Sequence, residues 1–233
     1  MLELFPSRQA LAEVTDELGR GRPAIVHNGR EAVFVLPLAE VSTAAVAFLV
    51  RHGSGLLVAA LPRRRCDDLG LPRMWGAFEQ PSDYCVTVDA AEGVTTGISA
   101  ADRATTLSRL ADPSAGPADF QRPGHVLTRA THPDGVTGHA GFAEAAVDLA
   151  ELAHCGPAAA YTHVVSPVDP TRLARPGELD PLRGKCALPA VSLAMLRGFR
   201  TQLAAVSGSR GTGRRRTAAP AAPRPGRRRR PAG

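Results

Sequence analysis

A hydroxyl-rich segment, residues 95–106 with the sequence TTGISAADRATT, most constrains the fold because it predicts a sharp turn into a helix. It follows the strand-like run YCVTV of residues 84–88. Gly97 permits a sharp turn or the close approach of a ligand. Ser99 is the predicted N-cap, and Asp102 falls in the first helical turn, where the helix dipole favours an acid. Such a helix start can also hold an anion such as phosphate, but the residues alone favour an ordinary capped turn, since helix caps are far commoner.

Strand and helix signals alternate along the chain, which is typical of an α/β fold. Predicted strands cover residues 23–26, 33–36, 56–61, 84–88 and 158–165, and predicted helices cover residues 7–19, 41–52, 143–153 and 192–200. The Asn28-Gly29 pair predicts a hairpin turn between the first two strands. Three further segments are predicted to be irregular or solvated: residues 62–68, 112–124 and 167–187. The sequence therefore predicts one α/β (α+β) domain over residues 1–206.

The composition is that of a soluble chain with a substantial core. Hydrophobic residues make up 44% of the 233 residues, which is enough for one such core. The four cysteines, Cys66, Cys85, Cys155 and Cys186, show no C-x-x-C spacing and follow no secretory signal, which indicates reduced thiols. No apolar run approaches the roughly 20 residues that a membrane span needs. We therefore expect a cytoplasmic protein without a membrane partner.

The net charge of +6 comes from the last segment, residues 207–233, which holds nine Arg and no acid. Without this segment the chain carries a net negative charge. The segment consists mainly of Arg, Pro, Gly and Ala without apolar periodicity, so we predict that it is disordered. An Arg-rich tail can bind nucleic acid non-specifically. No aromatic residue is interleaved for base stacking, however, which favours an uninvolved, solvated extension.

Several spaced segments resemble the motifs of the 3,4-dihydroxy-2-butanone 4-phosphate synthase family, in the order in which that family has them. The segment TTGISAADRATT resembles the family signature TTGISAxDRAxT. The other segments are GLLVAAL at residues 55–61, LGLPRM at residues 69–74, DFQRPGHV at residues 119–126 and EAAVDLA at residues 144–150. Several motifs in the correct order, here over roughly residues 7–200, are far more specific than one short match.

The resemblance implies a single domain with a mixed sheet and flanking helices, and a homodimer whose active sites lie at the subunit interface. It also implies a lyase reaction of riboflavin biosynthesis, which converts ribulose 5-phosphate to 3,4-dihydroxy-2-butanone 4-phosphate and formate. The sugar phosphate is enolised, a carbon migrates and one carbon leaves as formate. Members of the family use Mg²⁺ or Mn²⁺, which polarises the carbonyl and hydroxyl groups.

The positions that match the family's motifs define a candidate site. His125, in the RPGH motif, is the candidate catalytic residue. Glu31 matches a metal-binding Glu of the family. The candidate substrate-binding residues are Arg30, Thr95, Thr96, Ser99, Asp102, Thr105 and His139, the last of which stands where the family has a substrate-binding Arg. We therefore expect a phosphate-bearing ligand to lie against residues 95–106, near His125 and His139.

The chain departs from the family at positions that carry the chemistry. Phe142 takes the place of the second metal-binding His, and a phenyl ring cannot coordinate a metal. Ala143 replaces a substrate-binding Thr, and His163 stands where the family has an essential Glu. Most of the family's acidic loop is also lost, since residues 26–29 read VHNG and residues 32–35 read AVFV. Magnesium prefers carboxylate and water oxygens, so we expect weak Mg²⁺ binding and strongly impaired turnover.

Several interpretations stay open from the sequence alone. The chain can be an enzyme with the family reaction or an altered one, or a non-catalytic paralogue that keeps the scaffold and a phosphate pocket. Glu31 can equally be a solvated hairpin residue. Satisfied polar or surface histidines explain His139 and His163 better than a new metal site with His125, because no ligand spacing such as His-x-x-x-His is present.

Overall fold

The computed structural model describes residues 4–75 and 81–210, which form eight strands and eight α-helices. The strands are β1 (Ala24–His27), β2 (Ala32–Pro37), β3 (Val58–Pro62), β4 (Arg73–Trp75), β5 (Pro81–Ala90), β6 (Phe120–Thr131), β7 (Ala159–His163) and β8 (Ala190–Ser192). The helices are α1 (Leu4–Gly19), α2 (Thr43–His52), α3 (Arg63–Asp68), α4 (Ala100–Ala111), α5 (Gly135–Gly138), α6 (Phe142–Leu152), α7 (Asp180–Cys186) and α8 (Leu193–Arg210). Within these residues, no helix is long and apolar enough to cross a membrane.

All eight strands belong to one mixed sheet, in the order β4-β5-β6-β3-β7-β2-β1-β8. The pairs β3–β6 and β1–β8 are parallel, and the other neighbouring strands are antiparallel. Antiparallel neighbours can be joined by a tight turn, as β1 and β2 are. Parallel neighbours need a long crossover, and the pairs β3–β6 and β1–β8 are far apart in the chain. The structure confirms the predicted single α/β domain with a mixed sheet and flanking helices.

Two apolar cores cover the two faces of the sheet. The helices α2 and α4 pack on one face, through residues such as Leu49 and Leu107. The helices α1, α6 and α8 pack on the opposite face, hereafter the α6 face, through residues such as Leu18, Leu149 and Leu196. Because both faces are covered, central strands read as continuous apolar runs. Every residue of β2 is buried, for example.

The Asn28-Gly29 pair forms the turn between β1 and β2, as the sequence predicted. Gly29 has a φ of +89°, which glycine adopts without strain. The Asn28 side-chain oxygen accepts hydrogen bonds from the backbone N–H groups of Arg30 and Glu31, at 2.9 and 3.0 Å. This local network fixes the turn and sets Glu31 immediately before β2.

Part of the Pro- and Gly-rich segment that was predicted to be a loop lies in β6. Residues 122–125 bulge out of the β5–β6 ladder between the pairs Asp89–Gln121 and Val88–Val126. An irregular ladder tolerates the Pro and Gly residues that a regular central strand excludes. The prediction was wrong because this irregularity depends on pairing with a distant strand.

The helices α3, α7 and α8 also differ from the sequence prediction. α3 occupies a basic segment that was predicted to be solvated, but Cys66 is buried and Arg65 donates hydrogen bonds to backbone carbonyl groups at the end of α4. α7 lies in a stretch that was predicted to be irregular. α8 continues to Arg210, beyond its predicted end at Arg200. Residues 211–233 lie outside the described residues, and the disorder expected there stays a prediction.

Candidate active site

Strand register places His125 and His163 at the same end of the sheet. In β6, Leu127 pairs with Val58 of β3, which in turn pairs with Tyr161 of β7. His125 precedes Leu127 by two residues, and His163 follows Tyr161 by two. Because side chains alternate along a strand, His163 shares the α6 face with Tyr161, whereas His125 lies in the bulge of residues 122–125, where the ladder is irregular. Since β3 separates β6 from β7, and neighbouring strands are about 4.8 Å apart, the two strands that carry the histidines are about 10 Å apart.

His125 is held by Asp89 of β5, and we call these two residues the His125 pair. His125 Nδ1 lies 2.7 Å from Asp89 Oδ2, and the His125 backbone N–H donates a hydrogen bond to Asp89 Oδ1 at 2.9 Å. Asp89 is buried, whereas the His125 side chain is 41% exposed. When Nδ1 carries the proton that faces the carboxylate, Nε2 keeps a free lone pair. The imidazole is therefore oriented to accept a proton at Nε2.

Gly97 brings the turn at residues 95–102 against the His125 pair. Its φ is +80°. A Cβ atom at this position would lie 2.0 Å from Asp89 Oδ2 and 2.7 Å from His125 Nδ1, so no larger residue fits. The hydroxyl-rich turn and His125, which the sequence placed in one candidate site, are thus in direct contact.

Asp102 organises the interior of this turn. Its carboxylate accepts hydrogen bonds from the Thr95 hydroxyl at 2.8 Å and from the backbone N–H groups of Thr95 and Gly97 at 3.2 and 3.1 Å. These bonds, led by the one from the Thr95 hydroxyl, lower the pKa of Asp102 because they stabilise the carboxylate. Two N–H groups and one hydroxyl are therefore already used within the protein, and a phosphate at this turn needs other donors.

The remaining hydroxyl groups of the turn differ in their engagement. Ser99 is the N-cap of α4, since its Oγ accepts a hydrogen bond from the Asp102 N–H at 3.0 Å, as the sequence predicted. Thr105 donates to the Ala101 carbonyl at 3.1 Å. Thr96 is exposed and makes no hydrogen bond with any described residue. Among the side chains of the turn, the Thr96 hydroxyl and the hydroxyl proton of Ser99 are the donors left for a ligand.

A second group of side chains meets where β2 and β7 lie side by side. It consists of Glu31, Phe142 and His163, and we call it the His163 cluster. Glu31 Oε2 lies 3.7 Å from His163 Nε2, which is too long for a good hydrogen bond and makes an ion pair only when the imidazole is protonated. The Phe142 ring, at the start of α6, meets the His163 ring edge-on, with centroids 5.8 Å apart and planes at 88°. An apolar ring therefore adjoins the histidine and its carboxylate.

The environment of the His163 cluster favours a neutral imidazole. Burial lowers the pKa of His163, and Glu31 offsets part of this effect because its charge favours the cationic form. A neutral imidazole has one nitrogen that can accept a proton. His163 therefore loses its proton more readily than a solvent-exposed histidine does.

His139 contacts a buried carboxylate on α6. His139 Nδ1 lies 3.1 Å from Glu144 Oε2, and Glu144 is only 1% exposed. The other oxygen of Glu144 accepts a hydrogen bond from the His132 backbone N–H at 3.2 Å. Gly141 makes this arrangement possible, because a Cβ there would lie 2.4 Å from Glu144 Oε2. The contact is not a hydrogen bond, since Glu144 Oε2 is buried without a hydrogen-bond partner among the described residues, and more than half of the His139 side chain stays exposed.

The side chains of the His163 cluster do not fit a magnesium site. Glu31 supplies one carboxylate, but its neighbours are an imidazole and a phenyl ring, whereas Mg²⁺ prefers oxygen ligands. Across residues 4–75 and 81–210, no three His, Cys, Asp or Glu side chains are grouped so that they could hold a metal ion. The cluster thus lacks the ligand set that a divalent cation requires.

Sequence reasoning missed two carboxylates beside the candidate residues, Asp89 next to His125 and Glu144 next to His139. Asp89 is the next-to-last residue of β5, and a buried acid beside a histidine indicates a functional site once the pairing of the two residues is known. Glu144 was noticed only as part of a motif. Its contact with His139 depends on the path of the chain before α6, which no local pattern reveals.

A cavity of about 920 Å³ opens beside the hairpin turn that carries Glu31. His27, Asn28, Gly29 and Ala140 line it, together with the first turns of α8. The walls of this cavity include none of the residues of the His125 pair or the His163 cluster. The exposed imidazole of His125 therefore lies outside this cavity.

The sequence model of the 3,4-dihydroxy-2-butanone 4-phosphate synthase family matches residues 12–198. The chain is 40% identical to the riboflavin biosynthesis protein RibBA of Salinispora arenicola over 200 residues, which are 82% of this chain and 46% of that protein. It is 37% identical to the 3,4-dihydroxy-2-butanone 4-phosphate synthase of Hamiltonella defensa over 174 residues, which are 73% of this chain and 78% of that protein. The chain spans less than half of the length of the RibBA relatives that it matches.

The solved structures that resemble this chain are also 3,4-dihydroxy-2-butanone 4-phosphate synthases. A crystal structure of 3,4-dihydroxy-2-butanone 4-phosphate synthase in complex with two magnesium ions matches with a TM-score of 0.74 and 31% identity, over 86% of this chain and 97% of that chain. The sequence match extends from α1 into α8. Since both sequence and fold agree over most of the chain, the protein belongs to the 3,4-dihydroxy-2-butanone 4-phosphate synthase family of riboflavin biosynthesis.

Proposed function

We propose that this chain is a synthase of the family type whose conversion of ribulose 5-phosphate to 3,4-dihydroxy-2-butanone 4-phosphate and formate is strongly impaired. The observation that carries the proposal is the His163 cluster. Phe142 occupies the position that the resemblance gives to a metal-binding His, and its ring packs against His163. Membership of the family supports the reaction class, and the substitutions in this cluster support the impairment.

The His125 pair supports the acid–base part of the reaction. Enolisation of a ketose removes a proton from the carbon beside the carbonyl group, and a positioned imidazole commonly accelerates such a step by about a hundredfold to ten-thousandfold. His125 Nε2 is the acceptor, because Asp89 holds Nδ1. The buried carboxylate of Asp89 also stabilises the imidazolium that forms.

The phosphate of the substrate is proposed to lie against the turn at residues 95–102. Thr96 and Ser99 offer hydroxyl donors there, while Thr95 and Asp102 maintain the shape of the turn. The exposed side chains of Arg30 and His139 are proposed to supply positive charge, and phosphate favours such charge-assisted hydrogen bonds. His139 is a weaker partner than an arginine, because it lacks the permanent charge and the forked geometry.

The His163 cluster is proposed to limit the rate at the step in which negative charge develops on the substrate oxygen atoms. A divalent cation stabilises such charge strongly in metal-dependent enzymes. The cluster instead offers the Phe142 ring and a neutral imidazole. His163 can accept a proton with the help of Glu31, but a single proton acceptor replaces little of the stabilisation that a doubly charged ion provides.

We expect formate release to be about a thousandfold slower, or slower still, than in a family member that keeps its metal ligands. The loss of one acid–base group commonly reduces the rate by about a hundredfold to ten-thousandfold. The several losses here do not multiply, because groups that act as one unit are non-additive. The test is formate release from ribulose 5-phosphate with Mg²⁺, with an intact synthase as the control. Equal turnover of the two proteins would contradict the proposal.

Substrate binding is tested separately from turnover. Titration with ribulose 5-phosphate, followed by NMR chemical shifts, should move the signals of residues 95–106 and of His125 at millimolar ligand. Unmoved signals would rule out the phosphate pocket. Binding without any formate release would instead favour a non-catalytic paralogue that keeps the scaffold.

We also propose that the protein is a homodimer and that its partner covers the His125 side of the site. Ile98, next to Gly97 in the turn, and Leu56, just before β3, are large apolar residues that are both more than half exposed. Exposed apolar side chains next to a candidate site are typical of a surface that another chain covers. Light scattering tests this proposal, and a monomer at micromolar concentration would contradict it.

A further inference from the structure

Arg103 of α4 is a buried cation that none of the steps described above uses. It is only 8% exposed. Its Nη1 donates a hydrogen bond to the Gly55 carbonyl at 2.8 Å, and this is the only hydrogen bond of the side chain among the described residues. Its Nε is shielded from solvent and has no hydrogen-bond partner there. A buried N–H group without an acceptor costs free energy, so this nitrogen requires an explanation.

Arg65 of α3 shows how a guanidinium with a structural role is satisfied in this chain. Its Nε, Nη1 and Nη2 donate to three backbone carbonyl groups, those of Leu110, Ala115 and Asp112. In the described part of the chain, by contrast, one whole edge of Arg103 has no acceptor, the edge formed by Nε and Nη2. The N–H groups along such an edge are parallel, and they match two oxygen atoms of a phosphate or a carboxylate.

The position of Arg103 in α4 brings its side chain to the start of that helix. Arg103 ends the first helical turn, where its backbone N–H donates to the carbonyl of the N-cap residue Ser99 at 2.9 Å. Helical side chains point back towards the N-terminus, so the guanidinium lies near the turn at residues 95–102. The helix dipole adds partial positive charge at the same end. Two positive contributions therefore meet beside the proposed position of the phosphate.

No carboxylate of the described residues forms an ion pair with Arg103. The carboxylate of Asp102 accepts its hydrogen bonds within the turn, and the carboxylate of Asp89 holds His125. Burial lowers the pKa of Arg103, and the charge of Asp89 offsets part of this effect. Because an arginine stays charged at neutral pH, the free edge favours an anion that supplies the missing acceptors.

The guanidinium lies close to the surface despite its burial. It connects α4 to the segment before β3, in which Ser54 and Leu56 are exposed. An added Cβ at Gly55 would meet no atom within 4 Å, which indicates open space beside the carbonyl group that Arg103 binds. In the turn before α4, Thr96 is exposed as well. The surface between these two segments is the route by which an anion reaches Arg103.

We propose that Arg103 binds the phosphate group of the substrate through its Nε and Nη2 edge and is the fixed cation of the phosphate pocket at residues 95–102. This inference rests on the proposed function, since it assigns a further binding residue to that pocket. Thr96 and Ser99 add hydroxyl donors, while Nη1 stays on the Gly55 carbonyl and holds the guanidinium in place. The phosphate gives Nε the acceptor that the described residues do not provide.

The test follows the Arg103 Nε–H signal of the full chain by NMR during three titrations, with ribulose 5-phosphate, with inorganic phosphate and with ribulose that carries no phosphate. Both phosphates should move the signal, because a charge-assisted hydrogen bond forms at this N–H. Ribulose alone should leave the signal unmoved. A signal that neither phosphate moves at millimolar concentration would overturn the proposal. A signal that ribulose moves as much, or that inorganic phosphate alone moves, would reject Arg103 as the residue that binds the substrate phosphate.

Two substitutions measure how much Arg103 contributes to binding. Arg103→Met removes the charge and the N–H groups, and it should weaken ribulose 5-phosphate binding by about tenfold to a hundredfold. Arg103→Lys keeps the charge without the paired N–H groups, so it should recover only part of that loss. Arg65→Met is the matched control, because that guanidinium bonds backbone carbonyl groups only, and it should lower stability without changing the dissociation constant. Denaturant titration checks that each variant is folded, and equal binding by Arg103→Met and the wild type would contradict the proposal.

A formate assay separates the failure of this inference from the failure of the proposed function. Formate release by a wild-type chain whose Arg103 signal does not respond to ribulose 5-phosphate would reject the role of Arg103 and leave the reaction standing. An Arg103 signal that responds to both phosphates, in a chain that releases no formate, would support the phosphate site and reject the reaction.

Discussion

The His125 pair and the His163 cluster share one end of the sheet, yet their histidines are supported in different ways. Asp89 holds His125 through a contact of 2.7 Å and a second hydrogen bond from the backbone. Glu31 lies 3.7 Å from His163, and the Phe142 ring packs beside that imidazole. One histidine is fixed by hydrogen bonds, while the other is held mainly by packing.

This difference shows that substitutions can alter one side of a site without altering the other, when the two sides are built from different strands, helices and turns. The His125 side is built from β5, β6 and the turn at residues 95–102, whose polar groups bond one another. The His163 side is built from the hairpin turn, β7 and the start of α6. The substitution at Phe142 alters the second side without touching the hydrogen bonds of the first.

Gly97→Ala has the largest expected effect and tests how tightly the His125 side is built. The added Cβ would lie 2.0 Å from Asp89 Oδ2, and a φ of +80° strains alanine, so the free energy of unfolding should fall by about 3 kcal/mol. Gly29→Ala is the matched control, with a φ of +89° but no atom within 4 Å, and it should cost about 1 kcal/mol. Denaturant titration measures both variants. Equal losses would show that the turn is not packed against the His125 pair.

Phe142→His tests whether the His163 side can regain a metal. The new imidazole joins Glu31 and His163, and adding a ligand or supporting group typically changes metal affinity by about tenfold to a hundredfold. We expect that gain for Mn²⁺, which accepts nitrogen ligands more readily than Mg²⁺ does. Calorimetry measures it, and Phe142→Leu is the control that should show no gain. A micromolar dissociation constant for Mg²⁺ or Mn²⁺ in the wild-type chain would contradict this account.

The pH dependence of stability gives the smallest expected effect. The folded-state pKa of His163 lies below its ordinary value of 6.5, so its contribution to stability is present above that pH and is lost as the pH falls through 6.5 towards the lowered value. His163→Gln should therefore become more stable relative to the wild type as the solution is acidified. His154→Gln, at an exposed residue outside both groups, is the control. A difference that does not change with pH would mean that burial leaves the titration of His163 unaffected.

Features with local causes were predictable from the sequence. Ser99 caps α4 through its own side chain, and Asn28 and Gly29 form their turn through bonds within a few residues. The bulge at residues 122–125 was not predictable, because it depends on the register between β5 and β6. A local pattern that contains Pro and Gly cannot distinguish a loop from an irregular strand.

The same limit applies to the candidate site. A motif located His125, but the partner Asp89 is 36 residues away in the chain, and only the folded sheet brings the two together. The replacement of a metal-binding residue by Phe142 was visible in the sequence. Its edge-on contact with His163 was not, because the contact joins the start of α6 to the end of β7.

The most direct test of the impaired site is formate release by the double variant Phe142→His/His163→Glu, measured against the wild type with ribulose 5-phosphate and Mg²⁺. If the chain has lost its metal-binding side but kept the His125 pair, the double variant should release formate about tenfold faster than the wild type, or faster still. Adding Asp89→Asn should then abolish the gain, because the His125 imidazole loses its carboxylate partner. A wild-type rate equal to that of an intact synthase, or a double variant no faster than the wild type, would contradict the account.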